Sequence, residues 1–263
     1  MQIFFRTLIT IYLAHLLTDF VFQTHRLVER KRLRQLSAYL LHGLIHYFCA
    51  VVILGFFVAG SILSSRTHIV LIALVLVHLA IDVAKIELTR HDILSDGSGA
   101  YLADQILHFV TAVVAAWFLS PVLASSGVGA LVQKARSLPD KFLVVPVIYI
   151  AVVFGGGYLI RSLTHSLAED AKSHSPEKAS EQLQNAGLYI GWLERFLVLT
   201  AILLLSPATV GLILTAKSIA RYPEFKSERF AEYFLIGTLL SISIAIAGGA
   251  FLLKLIYGQL HFG

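Results

Sequence analysis

The chain is 263 residues long, 57% hydrophobic and only 14% charged, which excludes an ordinary soluble domain and fits a polytopic membrane protein. A single cysteine, Cys49, excludes an intrachain disulfide and a cysteine-based metal cluster, and reads as a small apolar packing residue. The net charge of +5 sits mostly in short basic stretches between apolar runs, a pattern that orients membrane helices and argues against a nucleic-acid partner.

The first apolar run predicts a helix from Ile3 to Phe22, about the ~20 residues that a membrane span needs. It carries His15 and Asp19 and lacks a small-residue cleavage site, so it reads as a retained helix and not as a signal peptide. Arg26, Arg30, Lys31, Arg32 and Arg34 follow. This basic loop is expected to face the cytoplasm, with the N-terminus outside an inner (plasma) membrane, and to act as a topogenic, lipid-facing segment. A second helix is predicted from Ser37, as its cap, to Gly60. The outer loop Ser61–His68 leads to a third helix, Ile69–Leu88. After the turn Asp96-Gly97-Ser98-Gly99, a fourth helix runs from Ala100 to Leu119 and ends before Pro121.

Each of these four helices contains a polar pair four residues apart: His15–Asp19, His42–His46, His78–Asp82 and Asp104–His108. That spacing places both members on one helix face. Ionisable groups inside lipid are costly and normally face a bundle interior. The up-and-down topology puts all four pairs at one depth, about one to two turns inside the cytoplasmic boundary at 1.5 Å per residue.

Residues 122–141 read as a linker; its Lys134, Arg136 and Lys141 lie on the expected outer side, against the charge rule. A fifth helix is predicted over Phe142–Leu163, with Gly155-Gly156-Gly157 allowing close helix contact or a kink. Residues 164–186 form a polar cytoplasmic segment. Within it Ser175-Pro176-Glu177 starts a short surface helix that ends near Asn185-Ala186-Gly187, and His165 and His174 read as solvated. Helices over Leu188–Leu205, Ala208–Ala220 and from Ser227 to about Leu255 complete the chain. Glu194, Arg195, Lys217 and Glu232 within them read as compensating ion pairs. The expected fold is all-α: a polytopic membrane bundle of about eight apolar helices, with a four-helix core over residues 1–121, a linker at 122–141 and further membrane helices over 142–263.

The stretches His15-Leu-Leu-Thr-Asp19-Phe-Val-Phe-Gln23, His42-Gly-Leu-Ile-His46, His78-Leu-Ala-Ile-Asp82-Val-Ala-Lys85 and Asp104-Gln105-Ile-Leu-His108 resemble a bacterial and phage integral-membrane family, the domain of unknown function thirty-three oh-seven, over roughly residues 5–120. Gly191-Trp-Leu-Glu194-Arg195, Ala216-Lys217-Ser-Ile-Ala-Arg221 and Glu232-Tyr-Phe-Leu-Ile-Gly237-Thr238 are similar to the C-terminal half of its longer members. The resemblance implies a membrane location and supplies no activity. By analogy the pairs are also similar to those of membrane-embedded zinc hydrolases, including alkaline ceramidases and bacterial membrane-bound metal-dependent hydrolases, whose exact motifs this chain does not reproduce.

Imidazoles and carboxylates are ligands for borderline and hard divalent ions. His15, Asp19, His42, His46, His78, Asp82, Asp104 and His108 are therefore candidate ligands for a divalent metal, with zinc the expected ion. His42 and His46 are expected to grip one ion together. Eight ligands exceed one zinc, and allow either two ions or one ion with outer carboxylates that orient its histidines. Asp19, Asp82 or Asp104 would serve as general base, and Lys85 as a charge for a developing oxyanion. Gln23 and Gln105 would stand behind the ligands as hydrogen-bond donors. The leading expectation is a metal-dependent hydrolase acting on a lipid or lipid-linked substrate, with membrane lipids as partners and a homo-oligomer allowed. The alternatives are an ion or proton channel or transporter, and a membrane sensor or effector with a structural metal.

Overall fold

The computed structural model describes residues 2–58, 64–95, 97–123, 139–165, 181–226 and 228–258, and the regular elements among them are all helices. Six of these helices are long and apolar enough to cross a membrane: Ile3–Phe22, Leu36–Phe57, Ser65–Arg90, Ser98–Pro121, Asp140–Leu163 and Glu228–Tyr257. Their outward side chains are apolar as well. Trp117 is 71% exposed and Val52 65%, a surface that water penalises and lipid accepts. The chain divides into two compact units, Met1–Val147 and Ile148–Gly263.

In the first unit α1 (Gln2–Leu16) runs without a break into a π-helical turn, Leu17–Phe22. α2 (His25–Arg32) is a short amphipathic helix capped by Thr24, whose hydroxyl accepts from the Leu27 N–H. α3 (Leu36–Phe57), α4 (Ser65–Arg90) and α5 (Ser98–Leu123) follow. α1 packs on α3 and α5, and α4 packs on the same two, which closes a four-helix bundle. Its apolar centre is built from Ile11, Ala14, Ala50, Leu54, Leu71, Leu74, Ala112, Ala115, Ala116 and Leu119. The alanines let helix backbones approach, the packing device that replaces hydrophobic drive inside a membrane.

Two local expectations are corrected here. Ser37 does not cap α3. The chain reverses at Arg34, which has φ +57°, so the helix starts at Leu36 with Gln35 at the N-cap. Ser37 lies inside its first turn and accepts a bond from the Arg30 guanidinium at 2.9 Å. Pro121 does not end α5 either, since the helix runs to Leu123 with the proline inside it. A proline there frees a single carbonyl, that of Trp117, and the Ser120 hydroxyl reaches that carbonyl at 3.4 Å. Most of the expected linker, residues 124–138, lies outside the described residues.

Gly43 sits beside His42 at the α3–α4 contact. A Cβ there would meet Leu79 Cδ1 at 3.0 Å and Val75 Cγ1 at 3.2 Å. Gly43→Val is therefore expected to push α3 off α4, lowering stability by about 1–3 kcal/mol as over-packed cores do. A melting curve of the purified protein in detergent checks this, and an unchanged midpoint would contradict it.

α6 (Asp140–Ile150) begins in the first unit and carries the chain into the second, continuing through a π-helical turn, Ala151–Gly155, into α7 (Gly156–Leu163). α8 (Glu181–Leu203), α9 (Pro207–Arg221), a 3₁₀ segment (Tyr222–Lys226) and α10 (Glu228–Tyr257) complete it. α8 packs along α10, where a Cβ on Gly249 would lie 2.7 Å from Ile202 Cγ2. Asn185-Ala186-Gly187 does not terminate a helix, because α8 runs straight through it. A mid-helix glycine costs only about 1 kcal/mol, less than the packing of the turns that follow. Ser175-Pro176-Glu177 and His174 lie outside the described residues; His165 is exposed.

Candidate metal centre

His15 lies in the last turn of α1, and Asp19 in the π turn that follows. A π turn widens the helix locally and is common at functional sites. The Thr18 hydroxyl closes onto the Ala14 carbonyl at 2.8 Å, which leaves Asp19 to face inward. α3 contributes His42 and His46, α4 His78 and Asp82, and α5 Asp104 and His108.

These eight side chains meet inside the bundle. His42, His46, His78, His108 and His15 are 0–3% exposed and Asp104 8%, and the Asp19 and Asp82 side chains are 11% and 12%. His42 Nε2 lies 2.9 Å from His78 Nε2, and His78 Nδ1 lies 3.1 Å from His108 Nδ1. Each contact needs one protonated and one bare nitrogen. Asp19 Oδ1 is 3.4 Å from His42 Nε2 and 3.5 Å from His78 Nε2. Asp82 Oδ2 is 3.5 Å and 3.8 Å from the same two nitrogens. On the other side, His108 Nε2 is 3.6 Å from Asp82 Oδ1 and 3.5 Å from Asp104 Oδ1. His15 joins through Asp19, 3.8 Å from Nδ1 to Oδ2, and through its ring, 4.7 Å from that of His108.

Three groups have ligand atoms close enough to share an ion: His15, His78 and His108; Asp19, His42 and His78; Asp82, Asp104 and His108. His46 is in none of these groups. Its ring lies tilted against that of His78, centroids 4.5 Å apart, and it borders a cavity of about 10 Å³ with His15, His78, His108 and Thr111, room for roughly one water. The structure thus separates the two histidines of α3.

The sequence reading missed Lys31. It stands in the basic run and reads as topogenic, yet it is only 4% exposed. Its ammonium donates to Asp82 Oδ2 at 2.6 Å and to Gln23 Oε1 at 2.8 Å. α2 thus lies over the polar cluster and points a cation into it. The available signal was Leu27 with Lys31, four apart on the buried face of α2. Arg34 of the same run pairs with Glu87, and the hydrogen bonds it donates to that carboxylate raise its already high pKa. Gln23 therefore contacts Lys31 and not a histidine. Gln105 Nε2 donates to Asp104 Oδ2 at 3.1 Å, and Lys85 Nζ lies 3.3 Å from the same oxygen. Both hold one oxygen of Asp104 and leave the other to face His108.

In the second unit Lys217 pairs with buried Glu194 at 2.5 Å, as an ion-pair reading requires, and Glu232 is exposed. Arg195 departs from it, donating instead to the Val153 carbonyl.

Among known proteins, residues 7–134 match the family model described as protein of unknown function (DUF3307). No curated protein matches, and no solved structure does.

Proposed function

We propose that the four-helix bundle holds a divalent metal, zinc in the first instance, and uses it to hydrolyse a lipid or lipid-linked substrate at the depth of the cytoplasmic headgroups. The observation that supports this is a set of buried ligand atoms with no hydrogen-bond partner among the described residues: His15 Nε2, Asp19 Oδ1, His42 Nδ1, His46 Nδ1, Asp104 Oδ1 and His108 Nε2. Leaving such an atom unpaired costs about 1–3 kcal/mol, so a cluster of them is stable when a cation takes the lone pairs. When bound, the metal supplies a Lewis acid and a water acidic enough to ionise near neutral pH. Lys85 and Gln105 hold Asp104, a candidate base. Lys31 adds positive charge beside Asp82, where an anionic transition state would gain from it.

Protein purified without chelators is expected to carry stoichiometric transition metal. His42→Ala is expected to lower that content while the protein still inserts, because removing a polar group from an apolar span eases insertion. Metal-free wild-type protein would overturn the reading. A second reading, a proton or ion relay, draws on the chain of imidazoles His42–His78–His108 at 2.9 Å and 3.1 Å; metal-free protein that moves protons or ions would favour it.

The orientation makes a separate prediction. With Cys49 replaced by Ser, a cysteine at Leu33, 71% exposed beside the basic run, is expected to react with an impermeant thiol reagent only after the inner face is opened. Labelling in intact cells would reverse the topology.

A further inference from the structure

Two of the three ligand groups share no residue, and the third, His15 with His78 and His108, draws on both. In the first, Asp19 Oδ1, His42 Nε2 and His78 Nε2 lie 3.4, 3.5 and 2.9 Å apart. In the second, His108 Nε2 lies 3.6 Å from Asp82 Oδ1 and 3.5 Å from Asp104 Oδ1. Ligands bonded at ~2.0–2.1 Å to a tetrahedral ion stand about 3.3–3.4 Å from one another, so the separations of 2.9–3.6 Å seen here lie near that spacing before any ion enters. Asp82 reaches across, since its other oxygen, Oδ2, is 3.5 Å and 3.8 Å from the two nitrogens of the first set.

We propose that the cluster is a two-ion centre bridged by the Asp82 carboxylate, and that it takes a phosphate ester. This rests on the metal reading above and deepens it. Three of the six unpartnered atoms are ligand atoms of these sets, Asp19 Oδ1 in the first and Asp104 Oδ1 with His108 Nε2 in the second, so an ion in one set alone would leave the other set's atoms unpaired. With Asp82 the first set has four protein ligands and is closed. The second has three, which leaves a position for a substrate or water oxygen.

Charge selects the substrate. The three aspartates face two ammonium groups, those of Lys31 and Lys85, which leaves one negative charge in excess with the imidazoles neutral. Two divalent ions turn that excess strongly positive, the field that suits a phosphate dianion. Paired ions about 3.5–4 Å apart clamp the attacking and leaving oxygens of a phosphoryl group. Water is the sole co-reactant: its oxygen joins phosphorus as the ester P–O bond breaks, and its proton ends on the departing alkoxide.

Metal per chain, measured by mass spectrometry on full-length protein purified without chelators, tests the centre. The wild type is expected to carry two ions. His42→Ala and Asp104→Asn are each expected to carry one, and Asp82→Ala less than one, with melting curves confirming that each variant is folded. One ion in the wild type overturns the two-ion centre and leaves the metal reading intact; none overturns both. Should Asp82→Ala fail to fold, the two single-set variants decide alone, because both losing all metal overturns independent sets.

Inorganic phosphate is the probe for the substrate class. It is expected to bind the metal-loaded protein at least tenfold more tightly than the chelated protein, and equal binding overturns the phosphate assignment. Phosphate release from vesicles containing phosphatidic acid, without release from a soluble aryl phosphate, identifies a lipid source. The reverse identifies a soluble one, and release from neither overturns the assignment.

Discussion

Lys31→Met is expected to destabilise the protein by about 3–5 kcal/mol, the cost of stripping one partner from a buried ion pair. The Lys31 and Asp82 side chains are 5% and 12% exposed and 2.6 Å apart, so water cannot replace the lost ammonium. Methionine keeps the stem and much of the packing, which confines the change to the charge. The Tyr39 hydroxyl still donates to the residue 31 carbonyl, so α2 keeps one anchor while Asp82 loses its cation and Gln23 its donor. The melting midpoint of chelated protein is expected to fall by on the order of 10 °C. An added divalent ion is expected to recover part of the loss, because a cation beside Asp82 takes over the compensation. A variant as stable as the wild type with chelator present would mean that Asp82 is not charged in the fold.

The four pairs were legible because their chemistry and spacing agree. An imidazole or carboxylate inside an apolar helix has few reasons to be there, and a separation of four residues fixes a face without any structure. Alternating direction then sets a common depth, and the structure joins the same eight residues by contact. What spacing does not supply is which atom faces which. The pair His42–His46 reads as one grip on one ion. In the fold His42 meets His78 through Nε2, while His46 lies against the ring of the same His78 and borders a small cavity, so the two present different atoms to one neighbour.

Lys31 was not legible for the opposite reason. Arg26, Arg30, Arg32 and Arg34 surround it, and a run of like charges has a sufficient explanation in membrane orientation. Only the folding back of α2 distinguishes one lysine from its neighbours, and a helix of eight residues leaves a faint period. Pro121 and Gly187 failed as punctuation because the proline frees one carbonyl and the glycine costs only about 1 kcal/mol of backbone entropy. Ser120 offsets the first, and the turns that follow offset the second. The π turns at Leu17–Phe22 and Ala151–Gly155 leave no mark in composition, since a single extra residue in a turn changes register and not hydrophobicity.

The second of those turns leads to the other large expected effect. Arg195→Met is expected to destabilise the second unit by about 3–4 kcal/mol, from the loss of charge-assisted hydrogen bonds worth ~1.5–3 kcal/mol and the stranding of a buried acceptor. Arg195 is 4% exposed. Its Nε and Nη2 both donate to the Val153 carbonyl, at 2.9 and 2.7 Å. That carbonyl lies inside the π turn, where the i→i+5 pattern disturbs the regular ladder, and the guanidinium supplies two donors to it. Three glycines make the room. A Cβ would stand 2.5 Å from Nη2 on Gly157, 3.3 Å from Nη1 on Gly191 and 3.6 Å from Cδ on Gly156. Methionine fills part of this groove and donates nothing. Lysine is expected to restore less than half of the loss, since a point charge with a mobile stem cannot reproduce the planar fork. Gly157→Ala is expected to act in the same direction from the opposite wall by displacing Nη2. Unfolding of the three variants in detergent, followed by protease resistance of the fragment beyond residue 148, checks the order. Arg195→Lys matching the wild type would show that the charge alone matters and that the fork does not.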